Sequence, residues 1–176
     1  MLQVLSVLQA DPASAVRVPE SAGRILTREP AGEGAFDQAY VLMTVDPWGY
    51  PHVALLSGDQ VRLTLGEDEL VAVVWGEHTR AHLNDTGRAT LLVADDRSAH
   101  YLKLQVVDSV EQPARLGVVL RLTSWTHDTA GVDLAPMAFR RSAELAAREG
   151  WELDGAVLDL LVQRRSGGAK NSESGL

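Results

Sequence analysis

Residues 40–57 read YVLMTVDPWGYPHVALLS, and this stretch decides the fold class of the chain. Its first part, 40–45, is a run of β-branched and large apolar side chains that is typical of a strand. The middle part, 46–51, is dense in turn-forming Asp, Pro and Gly, and 52–57 is a second apolar run. Two strand-like runs separated by a compact turn predict a β-hairpin.

The alternation of apolar runs and turns continues on the C-terminal side of this hairpin. Residues 60–65 alternate polar and apolar side chains with the period of a strand, and 70–75 are apolar on both faces, which predicts a central strand. Further strands are expected at 89–94, 100–107 and 116–126. Short strands at regular spacing predict a mainly β fold, either a barrel or a sandwich.

Three segments break the strand pattern. Residues 79–84 have helical spacing and end near Gly87, which predicts a short helix. A second helix is expected at 137–149, with Gly150 as its stop. For 155–164 the apolar pattern is short, and it leaves helix and strand open.

The length of the chain and the composition of its ends predict one domain with two extensions. A chain of 176 residues falls in the range of a single domain. We expect an N-terminal helix and an extended, Pro- and Gly-rich arm over 1–37 and a barrel domain over 38–165. The last segment, 166–176, is low in hydrophobic residues and is expected to be disordered.

The charge and the residue types exclude several functions. The net charge of −8 and the pI near 5.0 argue against nucleic acid and membrane surfaces as partners. The chain has no cysteine, which excludes disulfides, thiolate catalysis and cysteine zinc sites. No apolar run reaches the length of a membrane span, and the N-terminus lacks a basic region typical of a secretion signal, so a cytoplasmic location is expected.

The clearest chemical signal is the segment HTRAHL at 78–83, between an apolar strand and a short helix. Backbone N–H groups at a helix N-terminus favour an anion, and the Thr79 hydroxyl and Arg80 guanidinium would add to a phosphate site. In the alternative interpretation Thr79 caps the helix and Arg80 is solvated. Trp75, just before this segment, is either a core residue or a flat surface for a planar cofactor.

Four histidines are candidate metal ligands: His52, His78, His82 and His100. The spacing of His78 and His82 places both imidazoles on one helical face. However, no Glu completes an H-E-x-x-H pattern and no third ligand stands out, so no metal site is predicted.

Several short motifs follow one another in a characteristic order. A strand leads into an Asp-x-x-Gly-x-Pro-His hairpin and Leu-x-Ser-Gly; then come a Gly-Glu-Asp turn, an apolar strand, Thr-Arg-x-x-Leu and Gly-Arg-Ala-Thr-Leu-Leu. Over about residues 38–108 this order resembles the pyridoxamine 5'-phosphate oxidase-like, FMN-binding split-barrel family. The resemblance implies a mainly β (α+β) fold, a six-stranded antiparallel Greek-key split β-barrel with a few peripheral helices. It also implies a homodimer that holds flavin between its subunits.

The resemblance also assigns candidate cofactor residues. Thr79 and Arg80 match the family's phosphate-gripping segment, and His82 stands where the family commonly has Asn. Trp75 matches the end of the strand that leads into this segment. The stretch along the flavin ring is matched by His52, Val53 and Leu55.

These matches predict an FMN-dependent oxidoreductase with a small-molecule substrate, in which the cofactor carries out the electron chemistry. True pyridoxamine phosphate oxidases have an arginine-bearing C-terminal segment that this chain lacks, so vitamin B6 oxidation is not predicted. Two alternatives stay open. The chain could be a flavin-less dimeric binding or sensing protein on the same barrel, or a binder of haem or deazaflavin, with His52, His78 or His100 as a haem ligand.

Overall fold

The computed structural model describes residues 16–64, 66, 68–129, 133 and 135–170, and the side chains of these residues up to 166. The helices are α1 (Glu20–Leu26), α2 (Glu77–Thr86), α3 (Ala143–Glu149) and α4 (Trp151–Lys170). The strands are β1 (Phe36–Gln38), β2 (Tyr40–Val45), β3 (Pro51–Leu56), β4 (Val61–Leu63), β5 (Glu69–Val74), β6 (Arg88–Ala94), β7 (Ser98–Gln112), β8 (Arg115–Thr129) and β9 (Ala138–Arg140).

Seven antiparallel strands form one sheet in the order β3-β2-β6-β7-β8-β5-β4. The two edge strands, β3 and β4, follow each other in sequence and are joined by residues 57–60, so the edges of the sheet lie close together. Helix α1 contacts both β4 and β6 and contributes Ala22, Ile25 and Leu26 to the shared core. The sheet therefore curls into a half-barrel around an apolar interior.

The strands bury alternate side chains, as a sheet with one inner face requires. In β2 the buried residues are Tyr40, Leu42 and Thr44, and in β6 they are Ala89, Leu91 and Val93. The predicted mainly antiparallel β fold is confirmed, but the predicted number of strands in the barrel is wrong. The sheet has seven strands, one for each run located in the sequence, whereas the count of six came from the family resemblance.

Strand β5 is buried on both faces, because a helix covers its outer side. All of its residues are buried, and its outward Val71 and Val73 pack with Leu158 and Leu161 of α4. Burying each such side chain contributes about 1.5–3 kcal/mol. The doubly apolar pattern of β5 correctly indicated burial, but β5 lies next to an edge of the sheet rather than at its centre.

The C-terminal region differs from the expectation in two places and settles an open choice in a third. Residues 138–140 form β9, which pairs antiparallel with β1 so that Phe36 lies opposite Arg140. The helix predicted from 137 therefore begins only at Ala143. Residues 155–164, for which the sequence allowed either helix or strand, form part of helix α4. Residues 166–170, the first part of the tail for which disorder was expected, are helical, since α4 continues to Lys170 and the Ser166 hydroxyl donates to the Val162 carbonyl.

Other predictions at the ends of the chain are only partly covered. Residues 1–15 and 171–176, where an N-terminal helix and part of the tail were expected, lie outside the described residues. Inside the predicted arm, 20–26 is helical. Among the helices that are described, none combines the length and the apolar character needed to cross a membrane.

Gly150 ends α3 as predicted. Its φ of 64° is left-handed, a conformation that glycine adopts without strain. A Cβ at this position would also lie 3.0 Å from the Trp75 ring. The close approach of this turn to Trp75 therefore gives a second reason for glycine, beyond the helix stop.

Candidate functional site

Two buried polar atoms lie at the N-terminus of α2. Thr79 is 1% exposed, and among the residues described neither its Oγ1 nor the Nε of Arg80 has a hydrogen-bond partner. Gly76 is the N-cap and has no side chain to occupy the helix end; a Cβ there would lie 3.3 Å from Thr79 Oγ1. Thr79 therefore does not cap the helix. Unpaired donors beside a helix N-terminus are suited to binding an anion.

The charge of Arg80 is only weakly neutralised. Its Nη1 lies 3.5 Å from Glu111 Oε1, and the Glu111 side chain is 63% exposed. Ion pairs that open to solvent in this way contribute about 0–1 kcal/mol. Arg80 itself is mostly buried, which contradicts the alternative in which it is simply solvated. Its guanidinium can therefore be shared with a ligand at small cost.

Three histidines gather on one flank of α2. The ring centroid of His52 lies 5.8 Å from that of His78 and 5.3 Å from that of His82. His82 is buried, and its Nδ1 lies 3.1 Å from the Thr44 hydroxyl oxygen. His52 reaches the cluster because it pairs with Thr44 across the β2–β3 hairpin. Within the described part of the chain, no group of three or more candidate ligands is arranged to hold a metal ion.

Trp75 is part of the attachment of α4 to the barrel. Its Nε1 donates to both carboxylate oxygens of Asp154 at 3.0 Å, and the Arg115 guanidinium carbon lies 3.7 Å from the centroid of its ring. Asp154 also accepts from Arg115 Nε at 2.9 Å and Gln60 Nε2 at 3.2 Å. Burial raises the pKa of the Asp154 carboxyl, although these three side chains donate to it. Trp75 therefore contacts the two charged residues, Asp154 and Arg115, that join α4 to the sheet.

The remaining predicted residues lie on the outside of the sheet. Val53 and Leu55 are on the outer face of the edge strand β3 and are 53% and 52% exposed. The structure therefore gathers His52 and His82 on one flank of α2, while Thr79 and Arg80 both lie at the N-terminal end of that helix. Sequence reasoning missed Asp154, Arg115 and Glu111, because their partners are distant in the chain and no local pattern marks them.

His100 lies apart from His52, His78 and His82. It is 3% exposed in β7, and its ring stacks on that of His127 with centroids 6.0 Å apart. Its Nδ1 has no partner among the residues described. Burial lowers the pKa of His100, the neighbouring His127 lowers it further, and Asp95 acts in the opposite direction.

This buried imidazole predicts a loss of stability in acid. Unfolded histidine takes up a proton near pH 6.5, whereas folded His100 does so only at lower pH. Its contribution to the free energy of unfolding is therefore constant above about pH 6.5, falls as the pH drops from there to the folded pKa of His100, and is constant again below that folded pKa. Urea unfolding between about pH 7.5 and about pH 5 should show a shallower decline for His100→Gln than for the wild type. The exposed-site variant His78→Gln serves as the control, and an unchanged slope in His100→Gln would contradict the prediction.

Comparison with solved structures places this architecture among known folds. The chain is similar to HupZ from group A Streptococcus, at 12% identity and a TM-score of 0.50, over 67% of this chain and 99% of that one. It is also similar to an F420 reductase, at 17% identity and a TM-score of 0.47, over 61% of this chain and 98% of that one. A third is the flavin reductase of styrene monooxygenase from Pseudomonas putida S12, at 10% identity and a TM-score of 0.47, over 60% of this chain and 87% of that one.

The likeness to HupZ shows a shared fold, in agreement with the half-barrel described above. No protein-family model matches the chain, and no curated protein matches its sequence.

Proposed function

We propose that this chain binds FMN at the N-terminal end of α2 and acts as an oxidoreductase on a small molecule. The observation that carries the proposal is a pair of buried donors beside that helix end, Thr79 Oγ1 and Arg80 Nε, which have no hydrogen-bond partner in the part of the chain that the structure describes. Buried polar atoms are normally hydrogen-bonded, and one phosphate would satisfy these donors and the helix N–H groups together. The resemblance of residues 38–108 to FMN-binding split barrels favours a flavin phosphate.

The residues present fit such a group. Gly76 leaves the space in front of Thr79 open, since any larger residue would place a Cβ 3.3 Å from the hydroxyl. Arg80 would supply the charge, and the cluster of His52, His78 and His82 lies on a flank of the same helix. Bound FMN would supply the redox chemistry, while the protein binds and orients it.

We further propose that the outer face of the β2–β3 hairpin pairs with a second copy of the chain. Of the nine large apolar side chains that are exposed in the described residues, five belong to this hairpin: Val45, Trp48, Tyr50, Val53 and Leu55. β3 is also an edge strand of the sheet. An exposed apolar edge is a typical association surface. The family resemblance implies the same homodimer, with flavin between the subunits.

Titration of FMN into the purified protein, followed by flavin fluorescence, tests the cofactor. We expect saturable binding that Arg80→Ala weakens by more than about fivefold, since hydrogen bonds to charged groups contribute more than about 1 kcal/mol. Arg164→Ala, at an exposed position on α4, should bind like the wild type. A protein that takes up no FMN would refute the proposal and favour the flavin-less alternative. A Soret-type band with haem, or uptake of deazaflavin alone, would favour the other cofactors.

A Thr79→Val variant separates ligand binding from folding within this test. The substitution keeps the shape and removes an unpaired buried hydroxyl, whose burial costs about 1–3 kcal/mol. We expect the free energy of unfolding to stay equal or rise, while the affinity for FMN falls. If stability fell instead and FMN bound normally, the hydroxyl would support the fold rather than the ligand.

A further inference from the structure

Helix α3 covers one side of a cavity that is partly open to solvent. It buries none of its side chains, and a space of about 230 Å³ lies between it and the end of β3. Leu145 and Glu149 are four residues apart, so they share the helix face that lines this space. The rest of the lining is formed by Leu55, Ser57, Gln60, Phe139 and Trp151.

One wall of the cavity is aromatic and held in place. The ring centroids of Phe139 and Trp151 are 5.8 Å apart. The Arg141 guanidinium carbon lies 4.4 Å from the centroid of the Trp151 ring, and Arg141 also donates to the carboxylates of Asp37 and Asp59. Because two carboxylates neutralise Arg141, this wall presents a fixed aromatic surface with little positive charge.

Glu149 gives the cavity its charge. Among the lining residues it is the one ionisable side chain. Its partner is the neighbouring Arg148, whose Nε is 3.5 Å from Glu149 Oε1 and whose side chain is 71% exposed, so the pair is weak. The Ser57 hydroxyl donates to Gln60 Oε1 over a long 3.4 Å and can readily turn to a ligand. The cavity thus combines an aromatic wall with an available carboxylate.

We propose that this cavity binds a small aromatic amine. Its volume is below the range of about 300–1,000 Å³ found for drug-sized ligands, which favours a single ring. The ring would pack against Phe139 and Trp151, and the ammonium would pair with Glu149. The net charge of −8 also favours a cation over an anion. Because the cavity shares only Leu55 with the predicted flavin residues, this proposal does not depend on flavin binding.

Three probes with the same ring and chain length test the proposal: phenethylamine, 2-phenylethanol and phenylacetate. Ligand-observed NMR titrations should show the amine binding up to about fivefold more tightly than the alcohol, and the acid binding most weakly. Glu149→Gln should remove the advantage of the amine and leave the alcohol unchanged. Glu152→Gln, at an exposed position outside the cavity lining, should keep the wild-type order.

A second variant fills the space. Leu145→Trp should abolish binding of the amine and the alcohol, with the fold checked by circular dichroism. Phenylacetate binding as tightly as phenethylamine, or unchanged amine binding in Leu145→Trp, would overturn the proposal. Each titration is repeated with FMN present. Amine binding without FMN uptake would refute the flavin function alone, whereas FMN uptake without amine binding would refute the cavity proposal alone.

Discussion

Replacing Asp154 with alanine is expected to lower the free energy of unfolding by about 3–5 kcal/mol, the cost of breaking a buried ion pair by removing one partner. Asp154 is 0% exposed and accepts hydrogen bonds from Trp75, Arg115 and Gln60. Without the carboxylate, the Arg115 side chain, only 13% exposed, keeps its charge with no partner in this network. The two N–H donors of Trp75 and Gln60 lose their acceptor as well. Urea unfolding of the two proteins measures the difference.

A matched control lies on the same helix. Asp159 also pairs with an arginine, Arg62, but the two side chains are 61% and 47% exposed. Its replacement by alanine should change the free energy of unfolding by less than about 1 kcal/mol, because solvent screens such a pair. Equal losses in Asp154→Ala and Asp159→Ala would show that burial of Asp154 does not govern the stability of this network.

The buried pair of Asp154 and Arg115 also allows a prediction for the stability of a double variant. Burial raises the pKa of Asp154, which means that the folded structure holds this charge at a cost. Replacing Asp154 by Leu and Arg115 by Met together removes both buried charges and should therefore destabilise the protein less than Asp154→Ala alone. A double variant that is less stable than Asp154→Ala would contradict this account of the pair.

The double substitution Val45→Glu with Val53→Glu is expected to convert the proposed homodimer into monomers. Both side chains are exposed, at 46% and 53%, so the folded subunit tolerates the change. In the dimer the new carboxylates would be buried in an apolar interface without partners. The free-energy cost of burying these charges would greatly weaken association. Sedimentation velocity, or light scattering coupled to size exclusion, measures the mass of the particle.

Two exposed leucines on α4 provide the control for this experiment. Leu153 and Leu160 are 57% and 38% exposed, and they lie on the helix rather than on the hairpin face. Leu153→Glu with Leu160→Glu should leave the dimer intact. A monomeric wild-type protein, or a dimer that survives the hairpin substitutions, would refute the proposed interface. Since the resemblance implies flavin between the subunits, the monomeric variant should also lose FMN.

The strands of this protein were predictable because their signal is local. The hairpin at 40–57 forms β2 and β3, with Tyr40 opposite Leu56. All seven apolar runs are strands of one sheet. Period-two alternation and turn residues act within a few residues of chain, so one sequence contains them. The start of α2 beside Thr79 and Arg80 was predicted for the same reason.

The errors concern segments whose state depends on distant partners. Residues 138–140 became a strand because they meet 36–38, about a hundred residues earlier in the chain. The position of β5 next to the edge of the sheet could not be derived from its apolar pattern, because that pattern shows burial and not which element covers it. Here the covering element is α4, whose own segment left helix and strand open in the sequence.

Local sequence patterns located the strands, indicated a mainly antiparallel β fold and marked the helix start at Thr79 and Arg80. The folded structure was needed to find three contacts or burials: the Thr79 hydroxyl is buried with no hydrogen-bond partner among the described residues, His52 joins His78 and His82, and Trp75 binds Asp154, 79 residues away. Backbone periodicity and turn chemistry are properties of neighbouring residues. Burial, pairing and charge compensation arise only when the sheet curls and α4 packs on it, and these steps bring distant side chains into contact.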